Sequence, residues 1–242
     1  MNPTRRIKTF IGAMIVAAVG AAGYAGFASH TLHTYFALAV LALATVTSRM
    51  KVKLPGINGN MSVNLPFLLT AIVSLSAVEA VAITCISTVV QCWPQKGGRL
   101  KAQQMAFNVS MMAFASCLAS LMFHAQWSHG MSWTSGPLGM VLPTVTLFLG
   151  QTAPVAAIVA LSEGKAAGQI WWSLAHLSFP YYVVTAGVTS MVHAVSSHLG
   201  WGLALAVFPV MYGIHRSYQV YFGRIAETLR PETLVRAAGA GA

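Results

Sequence analysis

The chain has 242 residues, of which 56% are hydrophobic and only 7% charged, with a formal net charge of +10. A soluble domain carries about a quarter charged residues, so this supply cannot build a water-facing surface. Apolar runs of roughly 20 residues recur without alternation, which excludes a β-barrel and leaves an all-α, polytopic membrane helix bundle.

The first predicted span is Phe10–Ala28, preceded by Arg5, Arg6 and Lys8. Gly26-Phe27-Ala28 is a passable cleavage site, but the apolar stretch is long for a signal peptide and another span follows, so a retained helix is expected. The second span runs from about His33 to Thr47 and ends in Arg49, Lys51 and Lys53. Pro55–Ser62 is rich in turn residues and cannot be helix. Leu65–Trp93 is then predominantly apolar for about 29 residues, broken near its middle by Ser74, Ser76 and Glu79. As one helix it would be about 44 Å long, too long for a bilayer, so two short passes turning near Glu79 are predicted.

Span five is about Gln104–Ala125, and an uncharged loop, Gln126–Pro137, follows it. Span six is Leu138–Leu161, with Pro143 and Pro154 inside it, closed by Glu163-Gly164-Lys165. Ile170–Leu177, carrying Trp171 and Trp172, reads as interfacial, before span seven at Phe179–Val195 and span eight at Gly202–Ile214. Arg216–Arg230 is amphipathic, with Tyr218, Phe222, Ile225 and Leu229 on one face. Residues 1–230 thus form one transmembrane domain with a cytoplasmic amphipathic C-terminal helix, and 231–242 a disordered tail.

Eight passes with an inside N-terminus place all 14 Lys and Arg on the cytoplasmic side. Counting Leu65–Trp93 as a single pass would put Lys96, Arg99 and Lys101 on the wrong side. Both termini are therefore expected in the cytoplasm. The basic residues lie in short clusters between apolar runs, so their partner is the lipid bilayer and not nucleic acid.

Four segments resemble a known family in their order and spacing. They are KVKLPGINGNMSVNLPFLL (Lys51–Leu69), AFNVSMMAFASCLASLMFHA (Ala106–Ala125), ALSEGK (Ala160–Lys165) and HRSYQVYFGRIAE (His215–Glu227). Together they are similar to the N-terminal membrane sensor module of bacterial signalling proteins that carry GGDEF or HD-GYP domains. The resemblance covers about Ala37–Glu227 and implies a bacterial cytoplasmic (inner) membrane location. It also implies a sensory or adaptor role. In that family the last helix continues into a coiled coil and a cyclic-di-GMP enzyme domain. Here 15 residues follow Glu227, Pro231 blocks a continuous helix, and neither GGDEF nor an HD pair occurs. An output partner contacting the C-terminal helix, either a cytoplasmic signalling protein or a second copy of the chain, is expected. The other functional class is a small solute transporter or the substrate-binding membrane subunit of an importer.

Several residues are candidates for chemistry. Six histidines fall at the predicted outer connections in pairs: His30 and His33, His124 and His129, His193 and His198. Neutral imidazole binds transition metals and titrates near neutral pH, so either an outer metal or pH site or solvated interfacial histidines result. Glu79 is either an intramembrane carboxylate for protons or cations, or an acid capping the next helix. Gln151 precedes Pro154, whose ring frees a carbonyl one turn earlier, and Asn108 and His176 are predicted to add polar groups to a ligand or proton site. The plainer reading is interhelical hydrogen bonding. Cys85, Cys92 and Cys117 form no CxxC and read as small packing residues. No nucleophile motif, P-loop or dinucleotide fingerprint is present, and no enzyme activity is expected.

Overall fold

The computed structural model describes residues 3–28, 34–53, 60–94, 100–124, 137–199 and positions 209, 212, 213, 216, 217, 219 and 220. Seven helices are seen among these residues: α1 (Pro3–Ala28), α2 (Thr34–Ser48), α3 (Leu65–Ser74), α4 (Ala77–Cys92), α5 (Ala102–His124), α6 (Val141–Glu163) and α7 (Ala167–Leu199). A 3₁₀ turn, Pro137–Met140, leads into α6. Between α2 and α3 lies a two-stranded antiparallel ladder, β1 (Lys51–Lys53) and β2 (Asn60–Ser62), registered Lys51 to Ser62.

Three helices, spanning Thr4–Phe27, Ala102–His124 and Val141–Glu163, are long and apolar enough to cross a membrane. Exposure follows the same logic. Val16 is 73% exposed, Phe27 86% and Tyr35 92%, whereas Thr47, Ser48, Thr84, Ser116 and Thr185 are wholly buried. Apolar side chains outside and small hydroxyls inside are what a protein solvated by lipid tails requires. Several of these hydroxyls bond back to their own helices, Thr47 to Leu43 O at 2.7 Å, Thr84 to Ala80 O at 2.7 Å and Thr88 to Thr84 O at 2.7 Å, while Thr185 Oγ1 has no partner among the described residues. The chain is a membrane-embedded helical protein.

Small residues set the helix spacing. Cys117 lies against α1 and donates its thiol to Ala21 O at 3.2 Å, while the Phe10 and Phe107 rings meet at 6.1 Å. These contacts make α1 and α5 parallel. Gly150 of α6 faces Ala115 of α5, and a Cβ added at Gly150 would lie 2.7 Å from the Ala115 Cβ. Only glycine allows that approach.

The apolar stretch Leu65–Trp93 is two helices, as its length requires. The turn falls at Leu75 and not at Glu79. Ser76 caps α4 and Glu79, its third helical residue, closes a capping box: Ser76 N donates to Glu79 Oε2 at 3.1 Å, and Glu79 N to Ser76 Oγ at 3.4 Å. The ten residues of α3 rise about 15 Å, half a hydrocarbon core. Leu65, Phe67, Leu68, Leu69, Ala71, Ile72 and Val73 are all buried, so α3 is wrapped by other helices and not by lipid. At its foot Ser62 donates to Ser48 O at 3.1 Å and accepts, through its carbonyl, from the Tyr181 hydroxyl at 3.1 Å.

One expectation changes. Ile170–Leu177 is not a separate interfacial segment before a span beginning at Phe179: α7 runs unbroken over 33 residues with Pro180 inside it. A single proline removes one donor and displaces one carbonyl, a local cost that packing against α3 and α6 outweighs. The close of span six at Glu163-Gly164-Lys165 is as expected: α6 ends at Glu163, and Gly164 terminates it at φ 69°, its N–H bonded to Ala160 O at 2.9 Å. Span eight and the amphipathic segment Arg216–Arg230 lie almost wholly outside the described residues, although positions 216, 217, 219 and 220 are helical.

Candidate functional site

The helices α3 to α7 and the end of β2 line a partly open cavity of about 220 Å³. Each element contributes residues at helical spacing, so each presents one face: Asn64, Leu65 and Leu68 at the start of α3, Thr88 and Gln91 from α4, and Asn108, Met111 and Met112 from α5. Opposite them α6 supplies Gln151, Thr152 and Val155, and α7 supplies Leu174, Ser178, Tyr181 and Tyr182. No charged side chain is among these lining residues.

Hydrogen bonds fix the polar part of the wall. The Tyr182 hydroxyl donates to Gln151 Oε1 at 2.6 Å, and the ring stands edge-on to Phe148 with centroids 5.0 Å apart. Trp171 Nε1 donates to Thr152 Oγ1 at 3.1 Å, and Thr152 donates in turn to Phe148 O at 2.8 Å. Asn108 Nδ2 approaches Cys92 Sγ at 3.4 Å, a weak bond to a soft acceptor. Two amide nitrogens, Asn64 Nδ2 and Gln151 Nε2, are buried without a hydrogen-bond partner among the described residues. Buried polar groups are normally paired, and each orphan costs about 1–3 kcal/mol.

Asn64 is the more informative of the two. It occupies the position before α3 where an asparagine ordinarily turns its side-chain oxygen onto a backbone N–H of the first turn. Here it makes no such bond, and it is only 5% exposed. Its side chain lines the cavity instead.

The four residues expected to share a ligand or proton site divide. Asn108 and Gln151 come together on the cavity wall, whereas Glu79 and His176 are not among its lining residues. Glu79 is 8% exposed at the tip between α3 and α4, accepting from the Ser76 hydroxyl at 2.7 Å as well as from its N–H. Its geometry is that of a cap. His176 is exposed on α7, since a residue two positions from Leu174 and Ser178 points about 160° away from them.

Of the outer histidines, His30, His33 and His129 lie outside the described residues, as does the side chain of His198. His124 and His193 flank the Phe123 ring, at centroid distances of 5.1 and 6.5 Å, both edge-on. His124 Nε2 lies 3.1 Å from Ile72 O, a bond in which the ring must donate. One member of each of two predicted pairs, His124 and His193, therefore lies at the same end of the bundle. Among the described residues no group of three or more His, Cys, Asp or Glu is placed to hold a metal.

Asn64, Tyr181 and Tyr182 were not anticipated. Their signal is weak but present: polar side chains in otherwise apolar runs, one of them directly before a helix and two directly after Pro180. Comparison with protein-family models, with curated proteins and with solved structures yields no match.

Proposed function

We propose that this chain is a membrane-embedded binding module of the sensory or adaptor kind, which holds a small molecule between α3 and α7 and reports its presence through the C-terminal segment. The observation that carries this reading is the cavity itself, walled by amide, hydroxyl and apolar side chains from five helices. The resemblance to sensor modules supplies the direction of output. Eight passes in a bacterial inner membrane, with both termini cytoplasmic, belong to the same proposal.

The arrangement of helix ends supports that topology. Arg49, just after α2, donates to Val90 O at 3.2 Å and to Trp93 O at 3.5 Å, bringing the ends of α2 and α4 together. A cation there also complements the negative end of the α4 dipole. The parallel α1 and α5 set Arg5, Arg6, Lys8 and Lys101 at one end. A hairpin that enters and leaves from the same side keeps this count whether or not α3 reaches the far surface.

A photoreactive group at Ile225 tests the output. Crosslinking to a protein in native membranes is the expected result; products containing only lipid would sink the signalling role. The second reading, a substrate-binding transport subunit, draws on one observation: both helices that carry the cavity's tyrosines and Gln151 contain an internal proline, Pro180 and Pro154. Ligand-specific flux across liposomes holding the purified chain and its partner would favour it.

A further inference from the structure

We infer that the cavity is loaded from the basic end of the bundle, by a water-borne small molecule of the cytoplasm and not by an extracellular solute or a membrane lipid. This rests on the cavity being a ligand site and on the basic end facing inward, as proposed above; what it adds is the route and the source.

The first observation is where the lining lies along each helix. On α4 it is Thr88 and Gln91, in the last five residues, and on α3 Leu65 and Leu68, in the first four. The lining residues of α5 and α7 fall in the first half of each helix, and those of α6 from its midpoint onward. These are one end of the bundle. Arg49 bonds Val90 O and Trp93 O at the close of α4, Asn108 near the start of α5 meets Cys92, and Trp171 near the start of α7 meets Thr152. Tyr181, bonded to Ser62 O, ties α7 to the entry of α3. Arg49, Lys51, Lys101 and Lys165 stand at the helix and strand ends gathered here.

Exposure then falls with distance from that end. Gln91, Asn108, Val155 and Leu174, the lining residues nearest it on their helices, are half-buried, whereas Thr88, Met111, Thr152, Ser178 and Tyr181 behind them are buried. Gln151, the lining residue of α6 farthest from the basic end, is the one deeper side chain that keeps partial exposure. The half-buried four are therefore the lip. Beyond the cavity the bundle is filled: Leu69, Ala71, Ile72 and Leu147 are wholly buried, and at the far end the His124 ring closes on Ile72 O at 3.1 Å. An interior packed to crystal-like density leaves a solute no passage from that side. Gln91 and Asn108 put two amides at the lip, beside the cations of the basic end, whereas the surface that faces lipid carries side chains such as Val16, Val19 and Phe27. Amides at an entrance hydrogen-bond water, which hydrocarbon cannot supply, so the entrant arrives from the aqueous side. The signal read in this cavity is then internal to the cell.

The probe is a charged, membrane-impermeant methanethiosulfonate, applied to the full chain with Cys85, Cys92 and Cys117 replaced by alanine, in sealed membrane vesicles of either orientation. Single cysteines are placed at the lip by Gln91→Cys, on the floor by Met112→Cys and at the basic end by Lys101→Cys. All three should react in inverted vesicles and none in right-side-out ones. Adding Val155→Trp should abolish reaction at position 112 and spare position 101, a loss that unfolding could not produce because it would expose the thiol. Reaction of positions 91 and 112 only in right-side-out vesicles, with 101 reacting in inverted ones, would overturn the loading side and leave the ligand site standing. Reaction of all three only in right-side-out vesicles would overturn the cytoplasmic source. Reaction at position 101 alone would overturn entry from water and place the mouth in the lipid. Undiminished reaction at position 112 beside Val155→Trp would overturn the cavity as the route, and the ligand site with it.

Discussion

Replacing Gly150 with alanine is the sharpest test of how α5 and α6 pack. The new Cβ would lie 2.7 Å from the Ala115 Cβ and 3.2 Å from its Cα. Carbon atoms rest at about 3.5–4.0 Å, so the first contact is short by roughly 1 Å. One of the two atoms crowded is backbone, and the helices must separate along α6. Overpacking of this kind costs about 1–3 kcal/mol, while the better helix propensity of alanine returns up to about 1 kcal/mol. The single variant alone is therefore ambiguous, and a cycle with Ala115→Gly removes the ambiguity because propensity cancels. The double variant exchanges the small residue between helices and restores the space. Reversible unfolding in mixed micelles should give a coupling energy of about 1–3 kcal/mol in favour of the pair. Additivity within about 0.5 kcal/mol would refute close packing at this point, and with it the placement of Gln151 one residue along.

Other substitutions probe the cavity and the hairpin. Tyr182→Phe removes the donor to Gln151 Oε1 and leaves a buried acceptor unpaired; unfolding should show a loss of about 1–3 kcal/mol. Ser76→Ala breaks the box that starts α4 and should cost about 1 kcal/mol, whereas Glu79→Gln, which can still accept from Ser76, should cost less. If Glu79 instead served protons or cations, Glu79→Gln would be the more damaging of the two for function. Cysteines introduced at Ser132 and at Gly97 should be labelled from outside and inside the intact cell respectively, and labelling of position 97 from outside would refute the proposed orientation.

Much of this fold is legible because lipid imposes a length on each helix. The runs giving α2 and α5 are long, apolar and bounded by charge or turn residues, and their limits in the structure fall close to those expected, whereas α1 ends at Ala28 as expected but begins at Pro3 and takes in the basic residues before Phe10. The division of Leu65–Trp93 follows from length alone, but its position was misread by about four residues. Glu79 drew the eye as the only charge, while the informative pattern was Ser76 with Glu79 three residues later, a capping box. Proline misled in the opposite direction at Phe179 and Pro180, because a membrane helix keeps its course where its neighbours satisfy the freed carbonyl. The binding residues were half legible. Gln151 and Asn108 stood out as amides in apolar helices, but Asn64, Tyr181 and Tyr182 were not singled out by any local pattern. What joins them is long-range: Tyr181 meets Ser62, and Tyr182 meets Gln151, across separations no local pattern reports.

The central claim, that the bundle is built around a ligand, is most directly tested by native mass spectrometry of the chain released from its own membranes. The unmodified protein should carry a small-molecule adduct. A variant with the cavity filled, Val155→Trp, should be folded and lack it. The same adduct on both proteins, or on neither, would contradict a ligand site between α3 and α7.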